Sequence, residues 1–202
     1  MPDPNRLAYS LALLRINPQT RTLQYAREDF YDKSNKVIWS KVDARVKEIN
    51  SRSFDEDFYA AIVDEVFKQG EVERKSSPDR WIDLWSFTND EGYFTNASAD
   101  TTTMQMKGTN LILWQWQETK DPNGQPVEIR FMKKAINLPQ GTERIVSGQI
   151  WSAGTKRWDE LDDEFGGAYR MIQNDEPDYK GLTRLRAFVK NHSSWVSRYS
   201  IS

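Results

Sequence analysis

The chain contains no cysteine. Disulfide bonds, thiolate catalysis and zinc or iron–sulfur sites with cysteine ligands are therefore excluded. The sequence also has only one histidine, His192, which is followed by two serines. A catalytic histidine needs an oriented partner and a nucleophile, whereas a histidine at a helix end commonly bonds the last carbonyl groups. We therefore predict a structural role for His192.

Long apolar runs and a strong net charge are absent as well. No apolar stretch approaches the about 20 residues that cross a bilayer, and the first residues lack the basic region and apolar core of a signal peptide. The formal net charge is only −2. This balance gives no general attraction to nucleic acid or to an anionic membrane. The sequence thus predicts no transmembrane segment and no nucleic-acid partner, and it leaves the compartment open.

Motifs for cofactor, metal or nucleotide chemistry are absent too. Two acidic clusters, Asp55–Asp57 and Asp159–Glu164, do not follow the spacing of a calcium loop. Asp55–Asp57 is placed at the first turn of a predicted helix, where the helix dipole stabilises carboxylates. The sequence therefore predicts no cofactor, no metal and no enzyme. Because paired carboxylates also hydrolyse glycosides, a hydrolase that uses acidic residues beside an aromatic cleft stays an alternative.

Aromatic residues are abundant, with eight tryptophans and 12% aromatic residues in total. Such a composition argues against disorder. Part of the chain also matches itself when it is shifted by about 120 residues. Ile16-Asn17 then lies on Ile136-Asn137 and Thr22 lies on Thr142. We predict an internal repeat from this match.

The first repeat, residues 1–70, is predicted to be partial, with the order β-β-β-α. Alternation of large and small residues predicts a strand at Leu7–Leu14. Ser53 and Glu56 fit a capping box that would begin the helix, and Gly70 would end it. The apolar stripe of that helix is predicted to contain Phe54, Phe58, Ile62 and Val66, with Tyr59 and Val63 beside them.

Residues 71–80 are polar and contain a proline, so they are predicted to be a linker. Residues 81–202 form the fuller, strand-rich repeat, which ends in a helix at Tyr179–Lys190 with the apolar stripe Leu182, Leu185 and Val189. The predicted fold class is α+β: antiparallel sheet units with helices packed on one side, in one and a half internal repeats.

The tryptophans are the candidate binding residues. Trp114 and Trp116 share a strand face with Ile112, and such a face can stack on sugar rings or anchor a protein partner. Burial in the core is the alternative for Trp114, as it is for Trp85 and Trp39. The predicted binding residues are Trp114, Trp116, Trp158 and Trp195.

Two stretches resemble surface-adhesin protein E-like domains. Leu14–Tyr25 followed by Tyr31-Asp32-Lys33-Ser34-Asn35-Lys36-Val37-Ile38 resembles the rear of such a domain, and Trp81–Phe94 followed by Leu111–Trp114 resembles its opening. The chain would hold a rear half copy at 7–70 and a nearly whole copy at 81–190. The resemblance implies an extracytoplasmic domain without catalytic activity, with adhesion to host or matrix proteins known for some members. No binding residue of the family carries over, and a lipid-anchor cysteine is missing.

Together, these observations predict a non-catalytic extracytoplasmic binding or adhesion-type module of the bacterial cell envelope, with a protein or a glycan as partner. The alternatives are the hydrolase and an intracellular β-barrel that binds a small ligand. Because a half copy leaves a sheet edge uncovered, residues 7–70 are expected to pack against 81–190 or to form a homodimer with a second chain.

Overall fold

The computed structural model describes residues 3–161 and 166–197. The chain divides into two compact units, unit 1 at residues 1–68 and unit 2 at residues 69–202. Both units contain antiparallel sheets and helices, so the predicted α+β class is confirmed.

Unit 1 contains one small antiparallel sheet. Its strands are β1 (Tyr9–Asn17), β2 (Thr22–Tyr31), β3 (Val37–Val42) and β4 (Lys47–Glu48). They follow the order β1-β2-β3, and β4 pairs with β2. The Asn17 side chain accepts hydrogen bonds from two backbone N–H groups of the turn between β1 and β2. This local bonding is why asparagine favours turns, as the sequence indicated.

The helix of unit 1, α1 (Glu56–Phe67), begins without the predicted capping box. The Ser53 hydroxyl instead donates to the Glu48 carbonyl and accepts from the Asn50 N–H, so it is occupied in the preceding loop. The helix also ends before Gly70. Its C-cap is Lys68 in a left-handed conformation, while Gly70 caps the start of the next helix.

The buried face of α1 is one side of the predicted stripe. Phe54 is fully exposed, and Phe58 and Val66 are 44% and 63% exposed. Tyr59 and Val63, which were predicted beside these residues, pack against Leu23 and Ile49 to form a small core, joined at its edge by Leu14, Ile16 and Tyr25. Successive helix residues are about 100° apart around the axis, so a wide apolar stripe has two sides. The narrow sheet of unit 1 covers only the side that contains Tyr59 and Val63.

Residues 71–80, predicted to be a linker, contain a short helix, α2 (Glu71–Ser76), and a 3-10 turn at Pro78–Arg80. Glu71 and Arg74 are almost completely buried and form an ion pair. Arg74 also donates to the Trp195 carbonyl within unit 2. The charged residues that suggested a solvated linker are thus partners in a packed structure.

Unit 2 is built on a seven-stranded antiparallel sheet with the order β10-β9-β8-β7-β6-β5, in which β11 pairs with β9. Two helices follow the strands, α3 (Pro177–Asn191) and α4 (Ser193–Ser197). The strands are β5 (Trp81–Thr88), β6 (Phe94–Lys107), β7 (Asn110–Lys120), β8 (Pro126–Asn137), β9 (Thr142–Ser152), β10 (Arg157–Glu160) and β11 (Arg170–Met171).

Helix α3 packs closely on β5. A Cβ atom at Gly181 would lie 3.3 Å from side-chain atoms of Leu84 and Trp85, so glycine permits this approach. Leu182 and Leu185 are buried in the core below the helix, as predicted, and Val189 is partly buried against it.

The two units correspond in element order and in strand register. The β1–β2 pair ends at Asn17 opposite Thr22, and the β8–β9 pair ends at Asn137 opposite Thr142. Each pair contains one bulge, next to Leu13 in β1 and next to Lys133 in β8. These positions are about 120 residues apart, as in the sequence match. The internal repeat itself stays a prediction.

Candidate functional site

One face of the unit 2 sheet holds an aromatic cluster formed by Trp114, Trp116, Phe131 and Trp158. The Trp114 and Phe131 rings stack with centroids 4.5 Å apart. Trp116 lies 5.8 Å from Phe131 and 6.0 Å from Trp158. The strands place these rings together because Trp116 pairs with Phe131 across β7 and β8, and side chains alternate between faces.

Phe131 is 2% exposed and forms the centre of the aromatic cluster, whereas its three tryptophans are partly exposed. The tryptophans thus cover a buried ring and present part of their own rings to solvent. Three of the four predicted binding residues are therefore neighbours on one surface, which can stack on a planar group or a sugar ring.

Trp195, the fourth predicted binding residue, is not part of this cluster. Its indole N–H donates to the Thr101 carbonyl at 3.1 Å, and the Arg74 guanidinium lies 4.7 Å from its ring centroid. Phe188 contacts it edge-on. These contacts occupy the polar atom and the ring of Trp195, so it packs α4 against the rest of unit 2.

The opposite face of the same sheet contains a cavity of about 370 Å³. Met132 and Lys134 line it, and they alternate with Phe131 along β8, which places the cavity away from the aromatic cluster. Trp85 and Phe87 supply stacked aromatic walls. Of the tryptophans with a predicted core position, Trp85 is 6% exposed, while Trp39 in unit 1 is partly exposed against Phe30.

An ion network lies along this cavity. Lys134, which is 5% exposed, places its Nζ atom 2.9 Å from Glu143 Oε2 and 3.3 Å from Asp178 Oδ1. Arg170 bonds the same two carboxylates and also Glu176. The Trp85 indole N–H donates to Asp178 Oδ1 at 3.1 Å. Each of the two lining carboxylates is therefore held by more than one donor.

This ion network favours the protonated, positively charged form of Lys134. Burial opposes the protonated form, but the charges of Asp178 and Glu143 outweigh it and raise the pKa of Lys134 above its ordinary value. The lysine therefore stays protonated at neutral pH and cannot serve as a base or nucleophile there.

Arg144 differs from the other cations that line the cavity. Arg130 pairs with Glu128 at 2.7 Å, and Lys134 and Arg170 belong to the ion network. The Arg144 Nε–H group is buried and donates no hydrogen bond among the described residues, while its guanidinium lies 5.5 Å from the Tyr169 ring centroid. Its donor capacity is therefore only partly used.

Sequence reasoning did not identify the ion network. Its members are separated by up to 44 residues, so no local motif contains them. A signal does exist on β8. Lys134 lies between Met132 and Ile136 on one face of β8, both of these neighbours are apolar and buried, and a charge in such a position needs a partner.

The remaining sequence candidates have structural partners. Asp55 accepts from the Tyr25 hydroxyl and from Lys47. His192 Nδ1 lies 3.1 Å from the Phe188 carbonyl oxygen, in line with the predicted role at a helix end. Of the second acidic cluster, Asp162–Glu164 lies outside the described residues.

Two general searches of residues 3–161 and 166–197 complete the description of the site. No group of three or more histidine, cysteine, aspartate or glutamate side chains there could hold a metal ion. Within the same ranges, no helix has both the length and the apolar character needed to cross a membrane.

Comparisons with known proteins found no matching family model, no matching curated protein and no matching solved structure.

Proposed function

We propose that the protein is a non-catalytic binding module that contacts a protein or glycan partner through the aromatic cluster of unit 2. The observation that carries this proposal is the set of three partly exposed tryptophans around the buried Phe131. The resemblance to surface-adhesin protein E-like domains supports an extracytoplasmic, adhesion-type role at the bacterial cell envelope.

The physical basis is the behaviour of tryptophan at interfaces. Its side chain offers a large contact area with only two rotatable bonds, so it loses little conformational entropy on binding. Here the rings are also held in place by stacked or tilted contacts with Phe131 and with one another. A surface that is ordered before binding gains affinity because less freedom is lost.

The cavity supports the non-catalytic part of the proposal. General acid–base catalysis needs a side chain that exchanges a proton near neutral pH. Glu143 and Asp178 are both bonded to cations, and the pKa of Lys134 is raised. This arrangement resembles a structural ion network more than a catalytic pair.

Binding of the full chain to an array of glycans and to a panel of extracellular-matrix proteins tests the proposal. For any ligand that binds, we expect Trp116→Ala and Trp158→Ala to weaken affinity by about tenfold or more, because central tryptophans often dominate binding energy. Tyr179→Ala is the matched control, since Tyr179 is an exposed aromatic residue on α3. Equal effects of all three variants would contradict the proposal.

The cavity favours a second candidate function, the binding of a small anionic ligand. Arg144 is one of its lining residues, the Arg144 Nε atom lacks a partner among the described residues, and the cavity volume lies within the range of small-molecule sites. A carboxylate or sulfonate on Arg144, with an aromatic body against Trp85, would satisfy both features. The sheet is open between its described edge strands β5 and β10, so this candidate does not require a barrel.

A pair of fluorescent probes separates this candidate from general apolar binding. Anilinonaphthalene sulfonate carries a negative charge, and N-phenylnaphthylamine has a similar aromatic body without it. We expect Arg144→Gln to weaken binding of the sulfonate by about tenfold and to leave binding of the neutral probe unchanged. Arg157→Gln, at an exposed position on β10, should change neither. If Arg144→Gln affects neither probe, the cavity does not bind anions in this way.

The hydrolase alternative is tested by a separate activity measurement. Glu143 and Asp178 converge beside Trp85, which is the arrangement that a hydrolase would need. Hydrolysis of a chromogenic glycoside by the parent protein, abolished in a folded Glu143→Gln variant, would replace the non-catalytic proposal with this alternative.

A further inference from the structure

Strand β1 is an edge of the unit 1 sheet, although its counterpart in unit 2 is not an edge. Among the described residues, β1 pairs only with β2. The corresponding strand β8 pairs with β9 on one side and with β7 on the other. The described residues of unit 1 therefore contain the strands that correspond to β8, β9 and β10 but no counterpart of β7.

Exposure at one pair of corresponding positions shows the effect of the missing strand. Leu11 lies in β1 where Phe131 lies in β8, opposite Asp29 and Gln149 of the next strand. Leu11 is 58% exposed, whereas Phe131 is 2% exposed because tryptophans from β7 lie against its ring. A strand beside β1 would cover Leu11 in the same way.

The β1 edge also lacks the usual protection against pairing. Exposed edge strands commonly carry charged residues or proline, which discourage the addition of another strand. Residues 8–14 contain no charge and no proline, and the first charged residue in β1 is Arg15. On one face of this segment, Tyr9, Leu11 and Leu13 are all exposed.

We propose that β1 pairs antiparallel with β1 of a second copy of this chain, about a two-fold axis at Leu11. In this register Leu11 lies opposite itself, Tyr9 lies opposite Leu13, and Ser10 lies opposite Ala12. The large exposed residues therefore form one apolar face, and the small residues form the other. A charged residue near the axis would lie close to its own copy, and residues 8–14 contain none.

This pairing is independent of the proposed binding function, because β1 belongs to unit 1 and the aromatic cluster belongs to unit 2. It joins two unit 1 sheets into one continuous sheet with the order β3-β2-β1-β1-β2-β3. The apolar side chains then cover one another across the new pair, as cross-strand neighbours do in other antiparallel sheets.

Sedimentation velocity of the full chain tests the oligomeric state. We expect a species of twice the chain mass for the parent protein and a monomer for Leu11→Lys, because two lysines would meet at the axis. Val42→Lys, at a more exposed position on β3, should remain a dimer. Circular dichroism confirms that each variant is folded. The proposal is overturned if the parent protein stays monomeric at about 100 times the concentration used for the binding experiments. It is also overturned if the parent protein grows into open filaments.

Disulfide cross-linking tests the register, and the absence of native cysteine makes each introduced thiol unique. In the proposed register, Leu11→Cys faces its own copy at the Cα separation of an antiparallel pair, about 5 Å, which suits a disulfide. Leu13→Cys has nearly the same exposure but lies four residues from its copy, or about 13 Å. We expect Leu11→Cys to cross-link at least tenfold faster. Equal rates would overturn this register.

Discussion

Lys134 shows how a single residue can determine the chemistry of a site. Its position on β8 points it into the core side of the sheet, where a charge is costly without partners. Glu143 and Asp178 supply those partners. The charged side chains therefore form ion pairs with one another in the core. Without these ion pairs, the same residues would have suggested a catalytic site.

We expect Lys134→Met to destabilise the protein by about 3 kcal/mol, because the variant leaves two carboxylates at the cavity with fewer cations. The control variant is Lys107→Met on the exposed end of β6, which should lower the free energy of unfolding by less than about 0.5 kcal/mol. Urea unfolding at neutral pH measures both. A cost for Lys134→Met no larger than for Lys107→Met would show that the network contributes little.

The pH dependence of this difference follows from the raised pKa of Lys134. The folded protein holds this proton more tightly than the unfolded chain, so the contribution is complete below the ordinary lysine pKa of about 10.4. It is lost as the pH rises through the higher pKa of the folded state. The stability gap between the parent and Lys134→Met should therefore narrow as the pH rises through that alkaline range.

At the scale of elements, helix α1 shows what local patterns can and cannot predict. The helix itself was expected from its apolar spacing, and it forms at Glu56–Phe67. Its start and its end were wrong, and only the Tyr59 and Val63 side of the predicted stripe is buried. These features depend on contacts from outside the helix. Ser53 bonds to the preceding loop, and Tyr59 and Val63 are buried because the small sheet packs against them.

The end of α1 supports a stability prediction. Lys68 has a φ of 54°, a left-handed conformation that strains residues with a Cβ atom but not glycine. We expect Lys68→Gly to stabilise unit 1 by about 1 kcal/mol. Lys68→Ala keeps the Cβ and should give no such gain. Hydrogen exchange of the α1 amides, together with urea unfolding of the full chain, distinguishes the two variants. Equal protection of the α1 amides in both variants would show that a Cβ atom at residue 68 causes no strain.

At the scale of the whole molecule, the sequence predicted more of the fold than of the site. Alternating residues and turn motifs indicated most strands, since both signals are local. The neighbouring positions of Trp114 and Trp116 followed from the same alternation. Trp158 joined them only through the pairing of four strands, β7 to β10, and Trp195 was placed elsewhere by Arg74, which lies 121 residues away in sequence. The ion network likewise needs tertiary structure to become visible.

The bond from Arg74 to the Trp195 carbonyl brings the first helix of unit 2 beside its last one. The first and last described helices of this unit therefore lie next to each other, as the terminal elements of independent modules often do. A short connector between α2 and α4 would permit circular permutation of the described part of unit 2, and that part could be inserted into a surface loop of an unrelated carrier protein without stretching either chain.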